Sequence, residues 1–173
     1  EKKIDYAVIS GKIENSKVKN AIVSNADFKA EIAINDDGTF TDTLRIPENG
    51  FYTMAIGREF TAMHIGFADN IKVTLDAKKF DETITYTGEG AIKNNYLAAK
   101  TLGNGKATAN AVEFYSMDED DFKTKLSEIE TENEALLNGL TNADDAFISL
   151  EKQNIIYDKY LMMNNYSQRH GYY

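Results

Sequence analysis

Apolar and polar residues alternate through the first half of the chain. Phe28, Ala30, Ile32 and Ile34 interleave with Lys29, Glu31 and Ala33, and Ile71, Val73 and Leu75 interleave with Lys72, Thr74 and Asp76. Phe40, Leu44 and Ile46 share one parity. A period of two with one wet face predicts strands. Short apolar runs at Tyr6–Ile13, Lys19–Ser24, Phe51–Ile56, Phe60–Ile65 and Thr83–Tyr86 bring the expected number to about eight. Asn35-Asp36-Asp37-Gly38 reads as a hairpin turn, because Asp-Gly adopts the positive φ angles such a turn demands. Pro47-Glu48-Asn49-Gly50 is the next turn. No helical pattern intervenes, which argues against parallel βαβ units and for an antiparallel sandwich or open barrel over residues 4–87.

After Gly90 the period lengthens. Ile92, Asn95, Tyr96, Ala99 and Leu102 fall at helical spacing, with Gly103-Asn104-Gly105 as the expected stop. Lys106–Ala111 reads as a polar connector. Ser116 with Glu119 has the form of a capping box, followed by Phe122, Leu126, Ile129, Asn133, Leu136 and Leu140 on one helical stripe. Asn142 or Asp144 is placed to cap a third helix. That helix carries Phe147, Ile148, Ile155, Ile156, Tyr157, Leu161 and Met162 around most of its girth, which predicts burial on more than one side. The expected fold is α+β, mainly β: an antiparallel β-sandwich of about eight strands in residues 4–87, then about three α-helices in 88–173.

Charge and composition narrow the function classes. The 173 residues carry a formal net charge of −9, which disfavours nucleic acid and anionic membrane surfaces as partners. The absence of cysteine excludes a disulfide framework, a thiolate zinc site and a cysteine nucleophile. The two histidines, His64 and His170, lie in different halves without converging partners, and His64 sits in an apolar run as a packed sheet residue. The turn at Gly38 fails as a calcium loop, since Ala33 and Leu44 stand at the end positions where oxygen ligands belong. The acid pairs Asp36/Asp37, Asp81/Glu82 and Asp144/Asp145 all sit at turns or helix starts. No catalytic residue, cofactor or metal ligand is expected in this chain.

Two features remain. Gly88-Glu89-Gly90 lacks the third glycine of a phosphate loop and places an acid where phosphate would sit. It reads instead as a hinge from sheet to helix, comprising Gly88, Gly90, Asn94, Asn95 and Tyr96. Five of the ten tyrosines, Tyr157, Tyr160, Tyr166, Tyr172 and Tyr173, crowd the last seventeen residues. Tyrosine suits surfaces that are apolar at one end and wet at the other, so these five are candidates for a domain interface.

Several segments together resemble a known arrangement: Ile9-Ser10-Gly11-Lys12-Ile13-Glu14-Asn15, Asp37-Gly38-Thr39-Phe40-Thr41-Asp42-Thr43-Leu44, Gly50-Phe51-Tyr52, Thr74-Leu75-Asp76-Ala77, and Gly88-Glu89-Gly90 with Asn94-Asn95-Tyr96-Leu97. In that order they look like the N-terminal region of Bacteroidetes thioredoxin-like (TlpA/ResA-type) thiol-disulfide oxidoreductases, from about Ile4 to Leu102. The resemblance implies a non-catalytic accessory domain followed by a helical spacer. Its role would be to position a thioredoxin-like domain outside this chain, or to bind that domain's substrate proteins. It also implies a periplasmic or cell-envelope location, with any membrane attachment through a lipid anchor upstream of Glu1. With no Cys-x-x-Cys here, thiol-disulfide exchange would belong to the full-length parent. The alternative is a self-contained cell-surface binding module for glycan or peptide, for which Phe51, Tyr52, Phe60 and Phe67 are the aromatic candidates.

Overall fold

The computed structural model describes residues 4–173. Its strands are β1 (Ala7–Glu14), β2 (Asn20–Ser24), β3 (Lys29–Ala33), β4 (Thr39–Leu44), β5 (Gly50–Ile56), β6 (Glu59–Ile65), β7 (Asn70–Asp76) and β8 (Thr85–Glu89). They form two four-stranded sheets, ordered β4-β1-β7-β8 and β3-β2-β5-β6. Inward residues of both sheets share one core: Ile9, Ile13 and Val73 from the first, Val23, Met54 and Met63 from the second. Each such side chain contributes about 1.5–3 kcal/mol by leaving water. The alternation visible in the sequence is the alternation between this core and solvent.

The helices are α1 (Phe80–Thr83), α2 (Ala91–Ala107), α3 (Ala111–Ser116), α4 (Glu119–Asn138) and α5 (Asp145–Arg169), followed by a 3₁₀ turn at His170–Tyr172. Helix accounts for 44% of the structure and strand for 29%, so the fold is mixed α+β and not mainly β as expected. The reason is length: α4 and α5 span 20 and 25 residues, whereas no strand exceeds eight. The chain divides into two compact units, one ending at Thr101 and the other Leu102–Tyr173. The division falls inside α2, later than the seam at residue 87. The lipid anchor expected ahead of Glu1 lies outside the described residues, and no helix among those residues is long and apolar enough to cross a membrane.

Three local expectations are corrected. The sandwich is not wholly antiparallel, because β1 runs parallel to β7 from Val8↔Asn70 to Glu14↔Asp76. Parallel neighbours need a long crossover, and here the excursion through β2–β6 supplies it in place of a helix. The Asn35–Gly38 turn is tight, with Gly38 N–H donating to the Asn35 carbonyl at 2.9 Å. It does not close a hairpin ladder: β3 and β4 belong to different sheets, so the turn is a corner between them. Gly38 has φ +83°, and a Cβ there would lie 2.2 Å from the Ile13 carbonyl oxygen. Neighbouring hydrogen bonds hold the turn's carboxyls below their ordinary pKa, Asp36 through Lys19 and Asp37 through the hydroxyl and N–H of Thr39.

Gly103-Asn104-Gly105 does not stop α2, which runs on to Ala107. The Asn104 side chain accepts a hydrogen bond from Asn133 Nδ2 at 3.0 Å, tying this turn to α4 within the helical unit. A Cβ at Gly103 or Gly105 would meet nothing within 4 Å. Gly103→Ala and Gly105→Ala are therefore expected each to stabilise the protein by roughly 0.5–1 kcal/mol, through lower backbone entropy in the unfolded chain. Urea unfolding checks this, and a loss of stability in either variant would show that the glycines serve a bent or frayed turn.

Candidate interaction surface

The sheet-to-helix seam is a fixed joint. Gly88 and Gly90 have φ +89° and +93°, and a Cβ at Gly88 would lie 2.1 Å from the Asn70 carbonyl oxygen. Behind them, two consecutive asparagines each close one sheet. Asn94 is fully buried; it accepts from the His64 N–H at 2.8 Å and donates to the carbonyls of His64 at 2.8 Å and Gly90 at 2.9 Å. Asn95 accepts from the Tyr86 N–H at 2.9 Å and donates to the Tyr86 carbonyl at 2.8 Å. Because β6 and β8 are edge strands, each amide stands where a further strand's peptide group would pair. Tyr96 is buried and lies beneath Lys100, whose Nζ is 5.9 Å from the ring centroid. The residues expected as a hinge thus hold α2 on the sandwich.

The sandwich's aromatic candidates do not gather into one platform. Tyr52 is buried in the core and donates to the Glu48 carbonyl, and burial raises its phenol pKa. Phe51 is half-buried edge-on to His64, with centroids 5.4 Å apart, and Phe67 packs on the core. Phe60 stands alone at 70% exposure. His64 is buried, as expected of a packed sheet residue. A recess of about 400 Å³ on the first sheet brings Glu14 beside Asp76. The Lys78 N–H and the Asn15 amide lower the pKa of Asp76, opposite to what an acid catalyst needs. Among the described residues no group of three acidic or histidine side chains is placed to hold a metal ion.

The helical unit is built from well-capped helices. Asn110 caps α3 by accepting from the Glu113 N–H. The cap of α4 is Asp118 rather than Ser116, which closes α3, and Asp144 caps α5 through the Phe147 N–H at 2.8 Å. Phe114, Tyr115, Phe122, Leu126 and Ile129 form the unit's core, with Tyr166 packed against it. Tyr166 is stacked on Phe122 with centroids 4.0 Å apart, and its hydroxyl donates to the Met117 carbonyl at 2.8 Å. Burial, then the carboxylates of Glu119 and Asp118, raise its pKa. Tyr166 is therefore half-buried against the core rather than standing out from α5.

The other four tyrosines are exposed, and two of them define a surface. Tyr157 and Tyr160 are 65% and 64% exposed on α5, alongside Leu150, Ile156, Leu161 and Met163. The opposite side of the same helix buries Phe147, Glu151 and Ile155. A helix apolar around its girth was expected to be buried on more than one side; α5 leaves one side open. Over its whole length it exposes fifteen residues, of which three are charged: Lys152 and the two end residues, Asp145 and Arg169. Helix α4 exposes thirteen, and seven of those are charged. Met163 continues into a cleft of about 390 Å³ between the start of α4 and the end of α5, lined by Phe122, Tyr166 and His170 with the Glu119–Lys123 ion pair at its rim. Tyr172 and Tyr173 lie exposed beyond Arg169. The contributions of Leu150 and Leu161 went unmarked by a search for tyrosine, although they sit one to two turns from Tyr157 on the same helical stripe.

No protein-family model matches the chain, and no curated protein matches it. Similar solved structures include a DUF3823 family protein from Parabacteroides merdae, at 11% identity and a TM-score of 0.31, with the match covering 41% of this chain and 45% of that one. Another is a DUF3823 family protein from Bacteroides ovatus, at 15% identity and a TM-score of 0.28, covering 40% and 42%. The chain thus spans less than half of either neighbour, and a likeness this low transfers no activity. The expected kinship with TlpA/ResA-type thioredoxin-like oxidoreductases is overturned, since the structural neighbours are DUF3823 proteins and no family model or curated protein supports it. Four of the glycines that carried the resemblance have a local cause. Gly38, Gly88 and Gly90 answer to positive φ, and Gly11 and Gly88 to close backbone approach, whereas Gly50 has neither.

Proposed function

We propose that this protein is a non-catalytic binding module that holds a protein or peptide partner on the outward face of α5. The observation that carries the reading is the contrast between the two long helices: seven of thirteen exposed residues are charged on α4, but three of fifteen on α5, two of them the end residues Asp145 and Arg169. Exposed apolar patches of this kind mark interaction sites, and tyrosine supplies large contact area at low entropy cost. The cleft beside Met163 offers room for a partner's side chain at the edge of that face. The peptide alternative is favoured over glycan because the exposed aromatic side chains gather on α5 and not on a sheet face.

A random peptide display library panned against the protein tests the reading. Peptides with apolar or aromatic residues at helical spacing are expected to be enriched. Replacing Tyr157 and Tyr160 together by Ala is expected to weaken their binding at least about 30-fold, roughly 2 kcal/mol. Both side chains are exposed, so circular dichroism and thermal unfolding should be unchanged in the variant. An enriched peptide that binds both proteins equally, or no enrichment at all, would overturn the proposal.

A further inference from the structure

We infer that the occupant of the α5 face is a second copy of this chain, packed antiparallel α5 against α5 about a two-fold axis near Tyr157. The inference rests on the reading of α5 as the binding surface and adds the identity of the partner. Two copies each carrying −9 repel wherever their acidic surfaces meet. Of the seven charged residues exposed on α4, six are acids. The α5 face lowers that obstacle, since Lys152 is the only charged residue exposed between Ala146 and Gln168.

The face is also complementary to itself. Leu150, Tyr157 and Leu161 are apolar across most of their surface, and Gln153, Tyr160 and Asn164 end in groups that both donate and accept hydrogen bonds. A surface built from such groups satisfies its own image across a two-fold axis, as an isologous interface requires. A partner recognised through charge gains nothing here. Leu150, Ile156, Tyr157, Tyr160, Leu161 and Met163, each 37–65% exposed, supply the apolar part of such an interface, whose standard size is ~800 Å² per partner. With the axis at Tyr157, Leu150 of one copy lies seven residues from it, opposite Asn164 of the other. Both are about 10 Å along the helix from the dyad.

Sedimentation equilibrium between 5 and 500 µM, at low and high salt, tests the proposal. A dimer of the 19.4 kDa chain is expected, strengthening as salt screens the like net charges. Tyr157→Glu would bring two carboxylates together at the axis and is expected to leave a monomer with unchanged circular dichroism, whose Tm, unlike that of the wild type, does not rise with protein concentration. Phe60→Glu, on the sandwich, should not alter association. The chain has no cysteine, so engineered thiols report geometry cleanly. Oxidising an equal mixture of Leu150→Cys and Asn164→Cys should join the two variants to each other and neither to itself. A wild-type protein that stays monomeric at 500 µM, or a Leu150→Cys variant that joins to itself, would overturn the proposal. A monomer that still binds the enriched helical peptides would leave α5 as a binding surface and refute only the second copy. A monomer that binds no peptide would refute both.

Discussion

Asn94→Asp is expected to cost about 4 kcal/mol of stability at pH 7, a large part of the total for a domain of ordinary size. The substitution changes almost no volume. It removes the Nδ2 donor from the His64 and Gly90 carbonyls at a site with no solvent exposure. Two lost hydrogen bonds account for roughly 2–3 kcal/mol, and burying a carboxyl without compensation for the rest. The sign of the pH dependence follows. Burial raises the folded pKa of the new carboxyl above its unfolded value of about 3.9, so the charge cost is absent below that value. It grows as pH rises towards the folded pKa. Urea unfolding at pH 7 and pH 4 should therefore show a deficit, relative to wild type, that shrinks at the lower pH. Asn95→Asp makes the same change at an exposed residue and should cost clearly less. Equal deficits at the two positions would refute the view that Asn94 closes the edge of β6 from a dry site.

Gly11→Ala is expected to destabilise by about 3 kcal/mol or more. Gly11 lies in β1, an interior strand of its sheet, in register with Val73 of β7. A Cβ there would sit 2.0 Å from the Val73 carbonyl oxygen and 2.9 Å from the Phe40 ring. The first neighbour is backbone inside a paired ladder and cannot swing aside. Relief must come from spreading β1 from β7, which weakens the hydrogen bonds between them. The same chemical change at Gly103 is expected to stabilise, so the pair separates steric from entropic effects of glycine within one protein. A loss below about 1 kcal/mol at Gly11 in urea titration would mean the two strands separate easily there.

Strand existence was legible because one face of each strand is buried and the other wet, as at Ile71, Val73 and Leu75. Strand partnership was not: nothing within Ala7–Glu14 names Asn70–Asp76 as its neighbour, since pairing depends on contacts some sixty residues apart. The Asp37-Gly38 signal reports a tight turn whether the chain returns in its own sheet or crosses to the other. At Ser116 and Asp118 two capping signals compete within one turn, and the carboxylate that reaches the Asp121 N–H is the one used. Gly103 and Gly105 break the rule that glycine ends helices, because the turn that holds them is tied to α4 through Asn104 and Asn133.

The candidate surface was half legible. Tyr157 and Tyr160 were marked by residue type, but so was Tyr166, which the structure sends inward onto Phe122. Helical spacing separates them: Tyr166 lies four residues from Met162 and eleven from Ile155, on the packed side, whereas Tyr157 and Leu161 follow Leu150 at seven and eleven. Whether that second side would be covered or open depends on what else the chain folds against α5, and no local pattern states it.

The parallel pairing of β1 with β7 has a consequence for synthesis. A ribosome delivers Ala7–Glu14 early, yet its parallel partner is complete only at Asp76. Until then the first strand waits with one interior side unsatisfied, while β5 and β6, adjacent in the chain, can zip as soon as they emerge. Nascent chains stalled between residues 45 and 70 should accordingly be the ones that recruit holdase chaperones and coalesce, whereas chains released past the seventh strand should not.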